Sequence, residues 1–407
     1  MIGMKFIHAA DLHLDSPFLG LTNLPNSLLT VIRQSTFAAV TKVFDRAISE
    51  HVDFVVLAGD LFDRSEQSVA AQAYLFEQFD RLRLANIPVF VIFGNHDFLA
   101  DQHQPIAYPE NVHVFGATVE TKTLTTAAGE TVALSGFSYP QRWVEANPLA
   151  AFPNHAATDW HLGLLHGAIK SGSQDHYAPF TRADLLSKRY DYWALGHIHQ
   201  HQILNTQPPV VYAGNTQGRS INETGAKGAY LVESDGTALV PHFFETTVIG
   251  WDIPEVMTTS AADLPAVGQA LTQWVTTHAT TLPTLTALSI QAPQLVPTDL
   301  HDLETDWLAL YQRTHARLLK EHQRYFIRLN VALPESTLTA PQLDQQYWEA
   351  GAATVFTPEN LRDLFGKLAQ EPALAEWFEQ SQTQTDLKRL TERQIATLMG
   401  KADSDVS

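Results

Sequence analysis

Five short polar motifs in the first 200 residues hold side chains able to do chemistry: Asp11-x-His13, Gly59-Asp60-x-x-Asp63, Gly94-Asn95-His96-Asp97, His166 and Gly196-His197-x-His199. They supply carboxylates, imidazoles and one amide oxygen, with no sulfur. That donor mixture suits Mn²⁺ or Fe²⁺ and also accommodates Zn²⁺. Two metals about 3.5–4 Å apart need one shared carboxylate with ligands on either side. Asp60 is the candidate bridge. Asp11, His13 and His199 would complete one metal; Asn95, His166 and His197 would complete the other. Histidines two apart on extended chain face opposite sides, so His197 and His199 can serve different metals. His96 then stands outside the ligand set, where it can hydrogen-bond a phosphate oxygen and protonate a leaving alkoxide. Asp97 is expected to orient it, with Asp63 behind the ligands. Arg219 is a candidate phosphate or structural contact. Such a metal pair lowers the pKa of a bridging water, for in-line attack on phosphorus.

These side chains must be brought together by strands. Residues 4–10, Phe54–Ala58 and Val89–Phe93 are apolar runs of strand length, each followed at once by one of the polar motifs. Between them, residues 26–50 and 69–85 repeat apolar side chains at helical spacing. The pattern is β-α-β-α-β, whose short connections imply parallel strands with right-handed crossovers. All three polar ends then share one edge of the sheet, where α/β proteins place their sites. Asp60 belongs to the middle strand. Shorter strands are expected at 112–115, 122–124 and 132–137, as a meander or a second sheet packed on the first. Leu162–Leu165 and Tyr192–Leu195 lead into His166 and Gly196-His197. Val210–Tyr212 and Ala229–Val232 complete the expected strands.

The composition bounds the function. The 407 residues contain no cysteine, which excludes disulfides and thiolate metal sites and agrees with a cytoplasmic protein. Residues 1–8 lack a signal-peptide pattern, and no apolar run has the length of a membrane span. The net charge is −18, with −8 on residues 1–240 and −10 on 241–407. This argues against a protein that holds nucleic acid through general basic charge, and a polyanionic substrate must be met at a local cationic site or with help from a partner. The histidines outside the motifs are expected at the surface or in the core.

After residue 245 the ligand-type clusters stop. Helices are expected at 263–279, 298–323 and 357–399, and strands at 285–290 and 325–331. Thr357-Pro358 has the form of a helix start. The expected organisation is a domain over 1–245, a small α/β domain over 246–335 and a helical segment over 336–407.

The ordered set of motifs resembles the calcineurin-like metallophosphoesterases. Within that superfamily it is similar to SbcD-type DNA repair exonucleases, and most of all to the bacterial YhaO group. The resemblance lies in His8-Ala-Ala-Asp-Leu-His-Leu-Asp-Ser-Pro17, Ala58-Gly-Asp-Leu-Phe-Asp63, Gly94-Asn-His-Asp97, His166-Gly167, Gly196-His-Ile-His199 and Gln217–Gly225. It implies a four-layered β-sandwich flanked by helices, two metals with Mn²⁺ preferred, and ligand roles on the residues named above, with His96 catalytic. It also implies a capping domain at 246–335 and a C-terminal segment that binds an SbcC-like coiled-coil ATPase. DNA is the implied substrate, and family analogy also allows a homodimer. Where family nucleases carry a histidine three residues beyond the bridging aspartate, this chain has Asp63. The competing expectations are a small-nucleotide phosphodiesterase using the same site, and a metal-binding protein that regulates an ATPase.

Overall fold

The computed structural model describes residues 3–21, 24–63, 68–99, 107–170, 176–261, 263–292, 306–332 and 342–366, with scattered positions between 368 and 391. The chain divides into two compact units, Met1–Ala332 and Leu333–Ser407.

The first unit is built on two six-stranded sheets. The first contains β1 (Lys5–Ala9), β2 (Phe54–Ala58), β3 (Val89–Ile92) and β4 (Val112–Val114), all parallel to their neighbours. On its other side β1 pairs antiparallel with β11 (Gly228–Ser234), and β11 with β12 (Leu239–Glu245). Helices α1 (Asn26–Ser49) and α2 (Val69–Leu84) link the first three strands. Ser68 caps α2 by accepting from the Ala71 N–H. In the second sheet the order is β5 (Glu120–Thr125), β6 (Thr131–Gly136), β7 (Trp160–His166), β8 (Tyr192–Gly196), β10 (Pro209–Tyr212) and β9 (Gln202–Thr206).

Strand alternation sorts the side chains into layers. Ile7, Val55, Leu57 and Val91 pack with Val40, Phe44, Leu75 and Phe79 of the helices. Phe6, Phe54, Val56 and Phe90 face Leu162, Leu164, Tyr192 and Ala194 of the other sheet. The Phe6 and Phe54 rings stack at 4.9 Å, and Tyr192 meets Phe6 edge-on. On the far face Leu165, Trp193, Leu195 and Tyr212 pack with Leu185 of α3 (Arg182–Ser187). The result is the four-layered arrangement, helix–sheet–sheet–helix. Each such fully buried apolar side chain contributes about 1.5–3 kcal/mol of transfer free energy.

A smaller parallel sheet follows: β13 (Gly250–Asp252) and β14 (Met257–Thr258) flank one end each of β15 (Thr284–Gln291), which also pairs with β16 (Arg324–Ala332). Helix α4 (Leu264–Thr277) precedes β15, and α5 (Leu308–Thr314) and α6 (Ala316–Glu321) precede β16. Its core is not closed on itself. Leu271, Trp274, Leu285 and Phe326 share one apolar cluster with Phe18, Leu24, Leu28 and Ile32 of the N-terminal chain. In the second unit, α7 (Gln342–Val355) is followed by α8 (Pro358–Phe365). Thr357 caps α8 through the Asn360 N–H, as its Thr-Pro start implies. No helix of the described residues is long and apolar enough to cross a membrane.

Several elements differ from expectation. The 112–137 stretch divides: β4 extends the first sheet, whereas β5 and β6 open the second. Strands β9, β12, β13 and β14 carry too little apolar alternation to be read locally; β9 lies half-exposed at a sheet edge. The helix expected over 298–323 is two short helices meeting at His315, and 298–305 lies outside the described residues. Thr314 bonds back to the Leu310 and Tyr311 carbonyls at the break, a contact that bends helices. Much of the expected 357–399 helix likewise lies outside the described residues.

Candidate metal centre

Strands β1, β2 and β3 end together, and their polar loops are stitched edge to edge. The Asp11 N–H donates to the Gly59 carbonyl, His13 to Asp60 and Leu14 to Leu61, each at 3.0 Å. Asp97 ties the third loop in. Its two oxygens accept from the Leu61 N–H (2.7 Å) and the Gly94 N–H (2.8 Å). Burial, then the charge of Asp60, pushes the Asp97 carboxyl up to about 7. The second sheet delivers its residues opposite: β7 ends on His166, and β8 on Gly196 immediately before His197. Close approach dictates glycine here. A Cβ on Gly94 would lie 2.6 Å from His166 Nε2 and closer still to Asp60 Oδ1. Asp11, His13, Asp60 and His197 adopt φ of 51°, 42°, 53° and 96°. Such left-handed backbone costs non-glycine residues about 1–3 kcal/mol and is characteristic of functional sites.

The structure brings the sequence-predicted ligands together. Ligand atoms of Asp11, His13 and His199 lie within 4.8 Å of one another, as do those of Asp11, Asp60 and His166, and those of His13, Asp60 and His96. Asn95 Oδ1 is 3.0 Å from His166 Nε2 and 3.1 Å from His197 Nδ1. The His197 N–H donates to both oxygens of Asp11, at 3.0 and 3.1 Å.

These donor atoms fit a cation better than they fit each other. His166 Nδ1–H donates to the Ala58 carbonyl at 3.0 Å. Its Nε2 lone pair therefore faces Asn95 Oδ1 and, at 3.3 Å, Asp60 Oδ2. Likewise, His199 Nδ1–H donates to Glu223 Oε1 at 2.7 Å, so its Nε2 lone pair is turned toward His13 Nε2, 3.1 Å away. Without metal, a proton must relieve the conflict at His166. Although burial lowers the His166 pKa, the charges of Asp60 and Asp11 outweigh it and raise the value to about 9. Burial also holds His13 well below the usual imidazole range, which keeps it a neutral ligand. The clustered acids and imidazoles around Asp60 thus have the donor types and spacing to hold divalent metal.

His96 stands beside this set. Its ring meets the His13 ring edge-on at 4.9 Å, and its N–H donates to Asp60 Oδ1 at 3.0 Å. The partner of its Nδ1 is the Asp63 carbonyl, at 2.7 Å. The Asp63 carboxylate pairs with Arg219 and lies 3.6 Å from His13 Nδ1. Arg219 is thus engaged by a carboxylate at the site, and a second, Glu223 Oε1, lies 3.5 Å away.

Glu223 is the residue that sequence reasoning missed. Besides fixing His199, it accepts from the Arg219 N–H (2.6 Å) and from Asn215 Nδ2 (2.8 Å). Although burial opposes it, the Arg219 and His199 charges hold its carboxyl well below the usual range. Lys227 completes this group by donating to the His199 carbonyl at 2.9 Å. Within the sequence, the only signal was the loop that contains it.

Comparison with known proteins accords with this geometry. Residues 4–201 match the family model described as calcineurin-like phosphoesterase. The metallophosphoesterase YhaO of Bacillus subtilis is 46% identical over 270 residues, 65% of this chain and 66% of that protein. This region of the chain is a calcineurin-like phosphoesterase domain. More distant relatives of the phosphoesterase include the DNA double-strand break repair protein Mre11 of Thermoplasma acidophilum. It is 27% identical over 217 residues, 51% of this chain and 56% of that one. The SbcD component of the nuclease SbcCD of Bacillus subtilis is 23% identical over 269 residues, 57% and 66% of the two chains. The matches thus span between about half and two thirds of these relatives' own lengths. The phosphoesterase family supports hydrolase activity dependent on divalent metal, and the clustered acids and imidazoles are suited to hold that metal.

Proposed function

We propose that the chain is a Mn²⁺-dependent phosphodiesterase, and that its substrate is DNA, cut as an exonuclease in DNA repair. The observation that carries the metal chemistry is the ring of acceptors around Asp60, which two divalent cations would satisfy. The DNA assignment draws support from the likeness to Mre11 and to the SbcD component of the SbcCD nuclease. Bound there, two cations would polarise the phosphoryl oxygens and activate a water. The remaining roles belong to the protein. Asp60 would be shared by the two cations, one held also by Asp11, His13 and His199 and the other by Asn95, His166 and His197. The Asp63 carbonyl accepts from His96 Nδ1–H; in its protonated, imidazolium form His96 would give its Nε2 proton to the leaving oxygen as the P–O bond breaks, and end neutral with Nδ1–H still held. Asp97 locks the loops that present Asp60 and His96. Asp63, Arg219 and Glu223 brace His13 and His199.

In this reading residues 246–335 are the capping domain. Residues 336–407 are the docking segment for an SbcC-like coiled-coil ATPase, and the protein acts in the cytoplasm, in keeping with its lack of cysteine. The net charge of −18 favours a second reading, a small-nucleotide phosphodiesterase, because such a substrate needs no basic track. One experiment separates them. Purified protein with Mn²⁺ is expected to shorten linear DNA, and Asp60→Ala and His96→Ala to abolish this. Hydrolysis of a small phosphodiester with DNA left intact would replace the nuclease reading by the second.

A further inference from the structure

We infer that a ledge beside the metal centre, formed by residues 142–145 and 176–178, seats the nucleotide adjoining the scissile phosphate, with Trp143 as the stacking platform for its base. The inference rests on the DNA reading above. The ledge starts at the ligands: the Tyr177 ring lies 4.5 Å from the ring of His197. Backbone bonds then carry it outward. The Val144 N–H donates to the His176 carbonyl (2.9 Å), and Ala178 donates to Val144 (2.7 Å). The Ala168 N–H, two residues beyond His166, donates to the Tyr177 carbonyl at 2.9 Å. Trp143 is therefore braced against the chain that supplies the candidate ligands, yet it is 51% exposed. Its ring lies 6.1 Å from that of His176, and the Arg142 guanidinium is 5.8 Å from its centroid.

The other described tryptophans of this unit are at least partly buried, so Trp143 stands out as an apolar face left in water at the edge of a polar site. A DNA strand is the occupant this position selects. Any polynucleotide with a phosphate at the metals must continue across the adjoining surface, at about 3.4 Å per stacked nucleotide. An aromatic face with a neighbouring cation suits base and phosphate together. The acids nearby are partly engaged: Glu145 lies 3.3 Å from His176 Nδ1, and Asp184 accepts from Asn147.

The test uses the full chain, a fluorescein-labelled single-stranded oligonucleotide read by anisotropy with Ca²⁺ in place of Mn²⁺, and Mn²⁺-dependent turnover of DNA and of a chromogenic bis-aryl phosphate. Trp143→Ala is expected to bind the oligonucleotide roughly 5- to 100-fold more weakly and to raise KM for DNA. Hydrolysis of the small diester should be unchanged, and Trp143→Phe should restore most of the binding. Wild-type DNA binding and turnover in Trp143→Ala would overturn the ledge while leaving the nuclease reading intact. Loss of small-diester hydrolysis in that variant would also overturn it, by making Trp143 a support of the metal centre. A wild-type protein that hydrolyses the small diester but neither binds nor cuts DNA would remove the DNA reading and the ledge with it.

Discussion

Replacing Gly94 by alanine adds one methyl group where the candidate bridging carboxylate and the His166 ring both approach. The new Cβ would stand 2.6 Å from His166 Nε2, with Asp60 Oδ1 nearer still. Ordinary contact is about 3.5 Å, so the imidazole must withdraw by roughly 1 Å and the carboxylate by more. Asp60 cannot shift alone, since its Oδ1 also accepts the His96 N–H at 3.0 Å. A misplacement of about 1 Å at a reacting centre costs on the order of 100-fold in rate. Overpacking costs about 1–3 kcal/mol of stability, or about 2–4 °C of Tm per kcal/mol in a domain of this size range. Gly94→Ala is thus expected to remain folded while losing metal and turnover. The assay combines metal content by mass spectrometry after desalting, Mn²⁺-dependent hydrolysis of a chromogenic diester, and thermal unfolding. Gly116→Ala is the control, because the nearest atom to its Cβ, Glu120 Oε1, is 4.0 Å away. Wild-type metal content and turnover in Gly94→Ala would refute the placement of both ions around Asp60.

Three further outcomes follow from the electrostatics of the site. The His166 pKa, raised from 6.5 to about 9 without metal, means that the metal-free site holds a proton which a cation must displace. Calorimetric enthalpies at pH 7.5 should therefore depend on the buffer's ionisation heat, and affinity should climb with pH until about 9; a buffer-independent enthalpy would contradict this. By the same sign, the stabilisation that the protonated His166 gives the metal-free protein is complete below pH 6.5 and fades as pH rises through 9, which metal-free melts across that window would reveal. Glu223→Ala removes the acceptor that sets the His199 tautomer, and a loss of about 10- to 100-fold in metal affinity is expected. Unchanged affinity would show that His199 needs no such partner.

The polar motifs and the apolar runs before them were legible in the sequence, because each is a local pattern. A continuous run of about five apolar residues, then a glycine or a charged turn, describes a buried strand and its end without reference to the rest of the chain. Parallel order in β1, β2 and β3 followed from the short helical links, and with it the middle position of Asp60. Partnership across long separations was decided by the tertiary structure. His13 meets His199 across 186 residues only because two sheets stack with their polar ends aligned. Glu223 acquires its role from a loop that Gln217 anchors to residues 248–249 through its side-chain amide. The tie between Asp63 and Arg219 spans 156 residues, and the exposure of Trp143 beside Tyr177 depends on loops meeting from different strands. Hydrophobic periodicity reports which face of an element is buried. It carries no record of which distant polar atom will stand opposite, and that is settled by sheet order and packing.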